Sequence, residues 1–319
     1  MINEPSVVAL NKKTNEVLAI GKEAQRMVGK TPAHIVAVRP LKDGVISDFE
    51  VTEQMLRYFI QKVHEEAFAL LARPRVVVGL PSSVTEVERR AVEEASLRAG
   101  ARAVFLIEEV MAAAIGTRLP VHEATGSFIV DVGGGTTDIA VISLGGIVVS
   151  KTLRVAGDEM NESIVQYGRD NFNILIGERT AEDLKIRIGA ATELPEMLEA
   201  PLRGRDLVTG LPKEVVINAM QVREALLRPT SAIVEAVKGV VEETPPELIA
   251  DIIDQGIHLA GGGSLLRGLD QVISAATQIR ARVVDDPLTA VVRGTGVVLE
   301  DVEALHEVLL PSVHGTQLK

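Results

Sequence analysis

The stretch IVDVGGGTTDIAVISLGG, residues 129–146, places a glycine-rich turn between two apolar runs. Three consecutive glycines allow the backbone to turn with positive φ and to approach a ligand closely. Successive backbone N–H groups in such a turn form a concave anion-binding site. The stretch therefore predicts two strands joined by an anion-binding turn at Gly133, Gly134 and Gly135.

Hydroxyl and carboxylate side chains flank these glycines. Thr136 and Thr137 add hydroxyls, and Asp131 lies at the end of the first predicted strand. A carboxylate there is placed to hold Mg²⁺ through water, because Mg²⁺ binds few carboxylates and retains several waters. The alternative is a tight β-hairpin that binds no ligand, although a hairpin needs fewer glycines and threonines.

The composition excludes several classes of protein. The 319 residues contain no cysteine, which excludes disulfides, thiol catalysis and cysteine-zinc sites. The net charge of −11 argues against nucleic-acid binding. The N-terminus does not have the pattern of a signal peptide, and no apolar run is long enough to span a membrane. The sequence therefore indicates a soluble, acidic, cytoplasmic protein.

Two segments about 180 positions apart have the same order of parts. Residues 75–118 and residues 257–299 each read as a strand, a helix, a strand, an acidic pair and a helix of small residues. One strand–helix–strand match arises by chance in an α/β protein, but the added acidic pair and helix favour duplication. Two such halves facing each other place a cleft, where ligands tend to bind, at their junction. The acidic pairs are Glu108-Glu109 and Asp285-Asp286.

Two helices carry start signals. Thr85 with Glu88 predicts a capping box at the start of one helix. Thr244, followed by Pro245 and Glu247, predicts the start of another, with Thr244 as the N-cap and Pro245 at the first helical position.

The segment LAGGGSLLRG, residues 259–268, reads as a strand, a glycine loop and a helix. The nitrogens of the loop could line a nucleotide. The glycines could equally serve close packing of a helix against a strand. The residues alone leave both interpretations open.

Eight motifs spread over most of the chain, from residue 2 to about residue 300, resemble those of the MreB/Mbl family of bacterial actins. The resemblance implies an α/β, actin-like ATPase fold, with two duplicated RNase-H-like halves and small subdomains around a cleft for ATP and Mg²⁺. The motifs are NEPSVVAL, LIEEVMAAAIG, IVDVGGGTTDIAVISLGGIV, RVAGDEMNESIVQY, IGERTAEDLKIRIG, LVTGLPKEV, TPPELIADIIDQGIHLAGGGSLLRGLD and DPLTAVVRGTG.

The resemblance also implies four subdomains, with the helices after Glu109 and after Asp286 connecting the two halves. The subdomains are residues 1–10, 44–123 and 291–319 (first large), 11–43 (first small), 124–159 and 222–290 (second large) and 160–221 (second small).

Carried over by position, the resemblance assigns a nucleotide site. Glu109 would orient the attacking water together with Thr136, a role that suits a carboxylate at a strand–helix junction. Asp131 would help to hold Mg²⁺. The other implied contacts are Gly133, Gly134, Gly135 and Thr136 at the phosphates, Glu182 and Lys185 at ribose and adenine, and Ala260, Gly261, Gly262 and Gly263 beside the nucleotide.

Alternatives remain for the charged members of this site. Glu182 and Lys185 lie three positions apart, so they could form an ordinary surface ion pair. Glu109 could be a helix N-terminal acid favoured by the dipole. Val110 replaces the proline usual in the family, a departure that would loosen the junction. Asp158 in AGDEM is a further candidate beside the nucleotide.

The family pairs this turn with a first phosphate loop, Asp-Leu-Gly-Thr, on a hairpin ahead of NEPSVVAL, and residues 1–319 do not contain it. We expect roughly twenty residues to be missing there, from a late start codon or a truncation, the alternative being a degenerate actin. ATP hydrolysis, expected from the family, depends on that loop. We also expect the strand in NEPSVVAL to be an unprotected edge, and nucleotide binding and assembly by these residues alone to be weak.

The resemblance implies a cytoskeletal protein that binds ATP and polymerises into membrane-associated filaments, which organise cell-wall synthesis in rod-shaped bacteria. Its expected partners are further copies of itself, the inner membrane surface, and cell-wall elongation and membrane-anchored morphogenesis proteins, with no nucleic acid. The alternatives are an actin-fold metabolite kinase, a chaperone-type ATPase or an inactive truncated actin homologue. A kinase would need a substrate-binding insertion, for which residues 11–43 leave little room, and a chaperone would need a peptide-binding domain after the ATPase.

The segment EEAFALLARP, residues 65–74, continues past the regular apolar stripe of a predicted helix. The family binds the inner membrane face through an apolar loop in this region, which implies such a role for Phe68, Leu70 and Leu71. The alternative is that these side chains cap the core of the domain.

Overall fold

The structure is a computed structural model that describes residues 2–42, 44–66 and 73–312. Contacts between residues divide the chain into two compact units. The first comprises residues 1–80, 84–108 and 298–319, and the second comprises residues 81–83 and 109–297. Each unit has its own sheets and its own apolar core.

The strands of the described residues are short at the two ends of the chain and longest in the second unit. In chain order they are β1 (Val8–Asn11), β2 (Val17–Ile20), β3 (Ile35–Val38), β4 (Leu41–Lys42), β5 (Val45–Ile46), β6 (Arg75–Leu80), β7 (Ala103–Glu108), β8 (Ser127–Val132), β9 (Thr137–Ser143), β10 (Gly146–Leu153), β11 (Ile174–Leu175), β12 (Glu199–Asp206), β13 (Pro212–Asn218), β14 (Ile257–Ala260), β15 (Ala281–Val283) and β16 (Leu309–Leu310).

The helices alternate with these strands, as expected for an α/β chain. They are α1 (Lys22–Met27), α2 (Phe49–Glu66), α3 (Glu86–Arg98), α4 (Glu109–Gly116), α5 (Gly157–Phe172), α6 (Glu178–Ile188), α7 (Ala219–Glu243), α8 (Pro246–Gln255), α9 (Leu269–Thr277) and α10 (Ala290–Glu300), with 3₁₀ turns at Gly262–Leu265, Pro287–Thr289 and His306–Val308.

In the first unit, β1 is the central strand of an antiparallel sheet with the order β2-β1-β3. Val8 is opposite Ile20 on one side and opposite Val38 on the other. The expectation of an unprotected edge at this strand is therefore wrong, because the strands that cover it follow it in the sequence. The boundary predicted between residues 10 and 11 falls inside this sheet.

The first unit also contains the parallel pair β6–β7, in a sheet with the order β16-β7-β6. The connecting helix α3 begins at the predicted capping box. The Glu88 N–H donates to the Thr85 hydroxyl over 3.3 Å, and the Thr85 N–H donates to the Glu88 carboxylate over 2.8 Å. The capping box read from the sequence is confirmed.

The second unit is built on a five-stranded sheet with the order β10-β9-β8-β14-β15. Strands β8, β9 and β10 are antiparallel neighbours, whereas β14 runs parallel to both β8 and β15. Phe128 and Leu259 from the sheet pack with Ile164 and Leu226 from the helices in one buried cluster. Strands β8 and β14 are buried along their whole length, so both faces of the sheet are covered at these strands.

The repeat inferred from the sequence is present in the order of elements. Strand β6, α3, β7 and α4 form one copy, and β14, α9, β15 and α10 form the other, each with a parallel strand pair. The copies differ in detail, because a 3₁₀ turn precedes α9 and another precedes α10.

Thr244 ends one helix instead of starting the next. Its hydroxyl donates to the Val240 carbonyl over 2.6 Å, and the N-cap of α8 is Pro245. The predicted N-cap at Thr244 is wrong by one position, because α7 runs on to Glu243 and takes the threonine as its C-cap.

Among the described residues, no helix combines the length and the apolar character needed to cross a membrane. The predicted membrane-binding side chains Phe68, Leu70 and Leu71 lie outside the described residues.

Candidate functional site

The hairpin of β8 and β9 turns through Gly133, Gly134, Gly135 and Thr136. The Gly133 N–H donates to the Thr136 carbonyl over 2.9 Å and closes the turn. None of the three glycines has a positive φ, so the expected positive-φ turn is wrong. In the part of the chain that the structure describes, the N–H groups of Gly134, Gly135 and Thr136 donate to no acceptor. Three adjacent donors are therefore available to an anion.

The start of α5 packs on this turn. The Gly157 N–H donates to the Gly133 carbonyl over 3.2 Å, and the Asp158 N–H donates to the Gly134 carbonyl over 2.8 Å. A Cβ atom at Gly157 would lie 3.3 Å from the Gly133 oxygen and 3.3 Å from the Lys185 Nζ. Because a glycine occupies this position, α5 approaches the turn closely and binds its carbonyls, which leaves the N–H groups of the turn free.

Lys185 joins the turn from α6. Its ammonium donates to the Gly157 carbonyl over 2.8 Å. Burial lowers the pKa of Lys185, while the charges of Glu182, Asp158 and Glu178 oppose that shift. The ion pairs of the described residues do not include one between Glu182 and Lys185, so the alternative of a simple surface pair does not describe this contact.

A cavity of about 540 Å³ in the second unit brings together five parts of the chain that are separated in the sequence. Its volume is in the range of small-molecule pockets. A Cβ atom built at Gly134 would have no neighbouring atom within 4 Å, so the space beside this glycine is open. The lining includes Gly133, Gly134, Gly157, Asp158, Glu182, Lys185, Gly262 and Gly263, together with the apolar side chains of Met160, Ile186, Leu265, Leu266 and Leu288.

The second glycine loop, residues 261–263, packs against the end of β8. Gly261 has a φ of 79°, and a Cβ atom there would overlap the Val132 carbonyl and the Asp131 carboxylate. A Cβ atom at Gly263 would overlap the Val132 side chain. Gly262 and Gly263 also line the cavity. The loop therefore packs closely against a strand, and its place in the cavity wall keeps the nucleotide interpretation as a prediction.

Three carboxyl groups lie close together beside the turn. Asp131 is directly opposite Asp138 in the β8–β9 ladder. Burial, with the charge of Asp138 adding to it, raises the pKa of Asp131 to about 7. Burial, and then the charges of Asp131 and Asp138, raise the pKa of Glu109 to about 8. A cation bound beside these groups would favour their ionised forms.

Asp138 is tied to three parts of the second unit. Its carboxylate accepts the Thr152 hydroxyl over 2.6 Å and the Ser82 N–H over 3.2 Å, and it also bonds the Thr136 side chain. Burial raises the pKa of Asp138, and these three hydrogen bonds oppose that effect. Asp138 thereby fixes the Thr136 hydroxyl beside the turn.

A family model described as MreB/Mbl protein matches residues 1–307. The chain belongs to the MreB/Mbl family. The cell shape-determining protein Mbl of Bacillus cereus is 46% identical over 305 residues, which are 96% of this chain and 91% of that protein. The cell shape-determining protein MreB of Escherichia coli is 50% identical over 307 residues, which are 95% of this chain and 88% of that protein.

Solved structures agree with this assignment. The crystal structure of MreB5 of Spiroplasma citri bound to ADP has a TM-score of 0.90 and 39% identity, and the match covers 96% of this chain and 92% of that one. A structure of the same protein bound to AMPPNP matches with the same TM-score. The actin-like fold predicted from the sequence is confirmed.

In this MreB/Mbl family member, the predicted nucleotide contacts fall into two neighbouring groups. Seven of them line the cavity: Gly133, Gly134, Asp158, Glu182, Lys185, Gly262 and Gly263. The others do not line it and lie in the turn, in the second glycine loop or among the three carboxyl groups: Glu109, Asp131, Gly135, Thr136, Ala260 and Gly261.

Sequence reasoning missed several residues of the site. Gly157 carried a usable signal, since it precedes Asp158 in the AGDEM motif. Ser82 and Thr152 gave none, because they reach Asp138 from the loop after β6 and from β10. Such contacts depend on tertiary structure and leave no local pattern.

Proposed function

We propose that this chain is a nucleotide-binding protein that assembles into filaments and determines cell shape. The observation that supports this most directly is the cavity that joins the turn, α6 and the second glycine loop. The chain's relatives in the MreB/Mbl family are named as cell shape-determining proteins. Its relative MreB5 has been solved with ADP and with AMPPNP.

The described residues suit the two ends of a nucleotide. The free N–H groups of Gly134, Gly135 and Thr136 are donors of the kind that bind phosphate. Glu182 and Lys185 bring a carboxylate and an ammonium to the cavity wall for ribose and adenine. The apolar remainder of the wall suits a base, with ATP as the proposed nucleotide; it is formed by Met160, Ile186, Leu265, Leu266 and Leu288.

The carboxyl groups beside the turn fit Mg²⁺. Asp131 is 6% exposed and shares its site with Asp138 and Glu109, so its ionised form lacks a compensating charge. No group of three or more His, Asp or Glu side chains in the described ranges is arranged to hold a metal directly. Mg²⁺ binds through few carboxylates and several waters, so Asp131 is a suitable ligand. The ion would supply positive charge at the phosphates.

For ATP hydrolysis, we assign the positioning of water to Glu109 and Thr136. Glu109 is the first residue of α4 and lies electrostatically close to Asp131 and Asp138. The Thr136 hydroxyl is held by Asp138 beside the free N–H groups of the turn. A carboxylate with a pKa near neutrality is suited to accept a proton from water at physiological pH.

Family membership supports a proposal for assembly and location. We propose that copies of this chain polymerise, and that the filaments lie in the cytoplasm on the inner face of the membrane, bound through Phe68, Leu70 and Leu71. Cell-wall elongation proteins and membrane-anchored morphogenesis proteins are the proposed partners. The four-part division into large and small subdomains is proposed on the same basis.

The test is nucleotide binding with a matched pair of variants on α6. Lys185→Ala removes the ammonium that lines the cavity, whereas Arg187→Ala removes an exposed cation on the same helix outside it. A charge-assisted hydrogen bond contributes about 1.5–3 kcal/mol, so Lys185→Ala should weaken ADP binding roughly tenfold or more. Fluorescent ADP titration measures the affinity, and Arg187→Ala should bind like the wild type.

The cellular arm uses a rod-shaped bacterium depleted of its own MreB. The unaltered gene for the full-length protein is expected to restore rods, and the same gene with Lys185→Ala is expected to leave round cells at equal protein level. Equal ADP affinity for the wild type and Lys185→Ala would contradict the site. Normal ADP binding without filaments or rods would contradict the cytoskeletal role.

A further inference from the structure

The second unit contains another cavity, of about 820 Å³, that shares no lining residue with the nucleotide cavity. It lies among the ends of α4 and α8, the start of β14, the strand β15 and α10. Three arginines line it: Arg118, Arg282 and Arg293. Neither the family assignment nor the proposed function gives this cavity a role.

The charge of this cavity is unusual for the chain. Asp254 and Asp285 also line it, so three guanidinium groups meet two carboxylates in a protein whose net charge is −11. The ion pairs of the described residues include none of these five side chains. The cavity wall therefore carries one more positive than negative charge, and these five groups form no ion pair with one another.

Arg282 is held in place by a neutral partner. It lies opposite His258 in the β14–β15 pair, and its Nη2 is 2.6 Å from the His258 Nε2. Burial, and then the charge of Arg282, lower the pKa of His258, which is 4% exposed. A neutral imidazole accepts a hydrogen bond from the guanidinium and leaves its charge uncompensated. Arg282 is thus oriented but not neutralised.

Arg118 occupies a backbone position that an arginine rarely takes. It follows the end of α4 with a φ of 61°, in the left-handed region that favours glycine. The Leu119 N–H donates to the Ala114 carbonyl over 3.0 Å and fixes this helix end. A cation at a helix C-terminus is stabilised by the helix dipole, but this stabilisation is generally smaller than the free-energy cost of the left-handed backbone. Arg118 lines the cavity from this position.

Arg293 completes the group from α10. Its Nη2 donates to the Asp285 carbonyl over 2.7 Å, which anchors the side chain without a carboxylate. Its Nε atom is buried and has no hydrogen-bond partner. Because this atom is enclosed by protein, a ligand in the cavity would contact the terminal nitrogens of Arg293 rather than its Nε.

We propose that this cavity binds a phosphate-type oxyanion through Arg118, Arg282 and Arg293. Guanidinium groups match the geometry of phosphate oxygens and donate paired charge-assisted hydrogen bonds to them. The oxyanion comes either from a small phosphorylated molecule or from a lipid headgroup, and the two sources share the same chemistry at the arginines.

His258 provides a local measurement of binding. An anion at Arg282 cancels the charge that lowers the pKa of His258, so binding should raise that pKa. The probe is pyrophosphate, added at constant ionic strength to nucleotide-free protein with labelled histidine. The pKa is read by NMR, and His258→Gln assigns the signal. Arg118→Gln should raise the dissociation constant for pyrophosphate tenfold or more, and the exposed Arg169→Gln, outside both cavities, should not change it.

Two further experiments distinguish this site from the nucleotide cavity and identify the source of the oxyanion. Lys185→Ala weakens the nucleotide cavity, and the response of His258 to pyrophosphate should persist in that variant. Sedimentation with phosphatidylglycerol vesicles, and with phosphatidylcholine vesicles as the neutral control, tests the lipid source. Loss of phosphatidylglycerol binding in Arg118→Gln would assign the site to a headgroup. The proposal would be overturned if pyrophosphate left the pKa of His258 unchanged and Arg118→Gln left vesicle binding unchanged.

Discussion

Asp131 and Asp138 face each other across the β8–β9 ladder, and both side chains are buried, at 6% and 1% exposure. Directly opposed residues in an antiparallel pair have Cβ atoms roughly 4.5–5.5 Å apart, a distance at which like charges destabilise the sheet. Glu109 adds a third carboxyl group to the same region. Protons or a cation are therefore required to stabilise these residues in the folded state.

We predict that the nucleotide-free protein loses stability as the pH rises from about 6.5 to about 8.5. The pKa of Glu109 is raised from 4.5 to about 8, and that of Asp131 from 3.8 to about 7. The folded state therefore binds more protons than the unfolded state in this range. The free energy of unfolding should fall by up to about 1.4 kcal/mol per pH unit for each extra proton. Urea denaturation at fixed ionic strength measures it.

The control is the double variant Glu109→Gln, Asp131→Asn, whose stability should depend less steeply on pH. The measured range begins near pH 6.5 because burial lowers the pKa of His258. In more acid solution the unfolded state binds more protons at this histidine than the folded state does, so His258 makes stability rise with pH there. Added Mg²⁺ should flatten the wild-type curve, since a cation favours the ionised carboxylates. A wild-type slope no steeper than that of the variant would contradict the raised pKa values.

The order of elements could be predicted from the sequence because its signals are local. The capping box of Thr85 and Glu88 lies within one helical turn, and the strand runs are continuous in the chain. The misplaced N-cap at Thr244 shows the limit of such signals. A threonine before a proline suits a helix start, but the hydroxyl here bonds the last turn of α7. Which helix takes a capping residue depends on where the earlier helix ends.

The site was predictable in its parts and less so in its geometry. The glycines of the turn indicated an anion site, but none of them has a positive φ, and the turn is also held by hydrogen bonds from the start of α5, which lies outside the motif. The tether of Asp138 to Thr152 and Ser82 joins three separate segments. Cross-strand register and loop packing decide such contacts, and neither can be read from a single stretch.

We predict that Gly261→Ala destabilises the protein more than Gly29→Ala does. Both glycines have positive φ, at 79° and 71°, but a Cβ atom at Gly261 would overlap the Val132 carbonyl, whereas one at Gly29 meets nothing within 4 Å. Left-handed strain alone costs about 1–2 kcal/mol. The overlap should raise the total for Gly261→Ala to about 3 kcal/mol or more. Equal losses in chemical denaturation would show that the loop moves away from β8 freely.

The next prediction rests on the sequence and concerns Phe68 and Leu71. Replacing both with serine should abolish co-sedimentation with liposomes, since each buried apolar side chain contributes about 1.5–3 kcal/mol and filaments multiply that contribution. The melting temperature should stay nearly unchanged. Val87→Ser, which removes a side chain of α3 that is 76% exposed, is the control for surface polarity and should leave lipid binding intact. A large loss of melting temperature in the Phe68→Ser, Leu71→Ser variant would place these side chains in the core.

The last prediction tests the role of Glu109. In the full-length protein, Glu109→Gln keeps the shape of the side chain but removes the carboxylate that would position and deprotonate water, so it should slow ATP hydrolysis by roughly 10²–10⁴-fold. ADP affinity should change little, because Glu109 does not line the nucleotide cavity. Phosphate release at saturating ATP measures the rate, and fluorescent ADP titration measures the affinity. Glu108→Gln, one position earlier, is the matched control and should hydrolyse ATP at nearly the wild-type rate. If Glu109→Gln loses affinity and rate together, the carboxyl group supports the structure of the site rather than the chemical step.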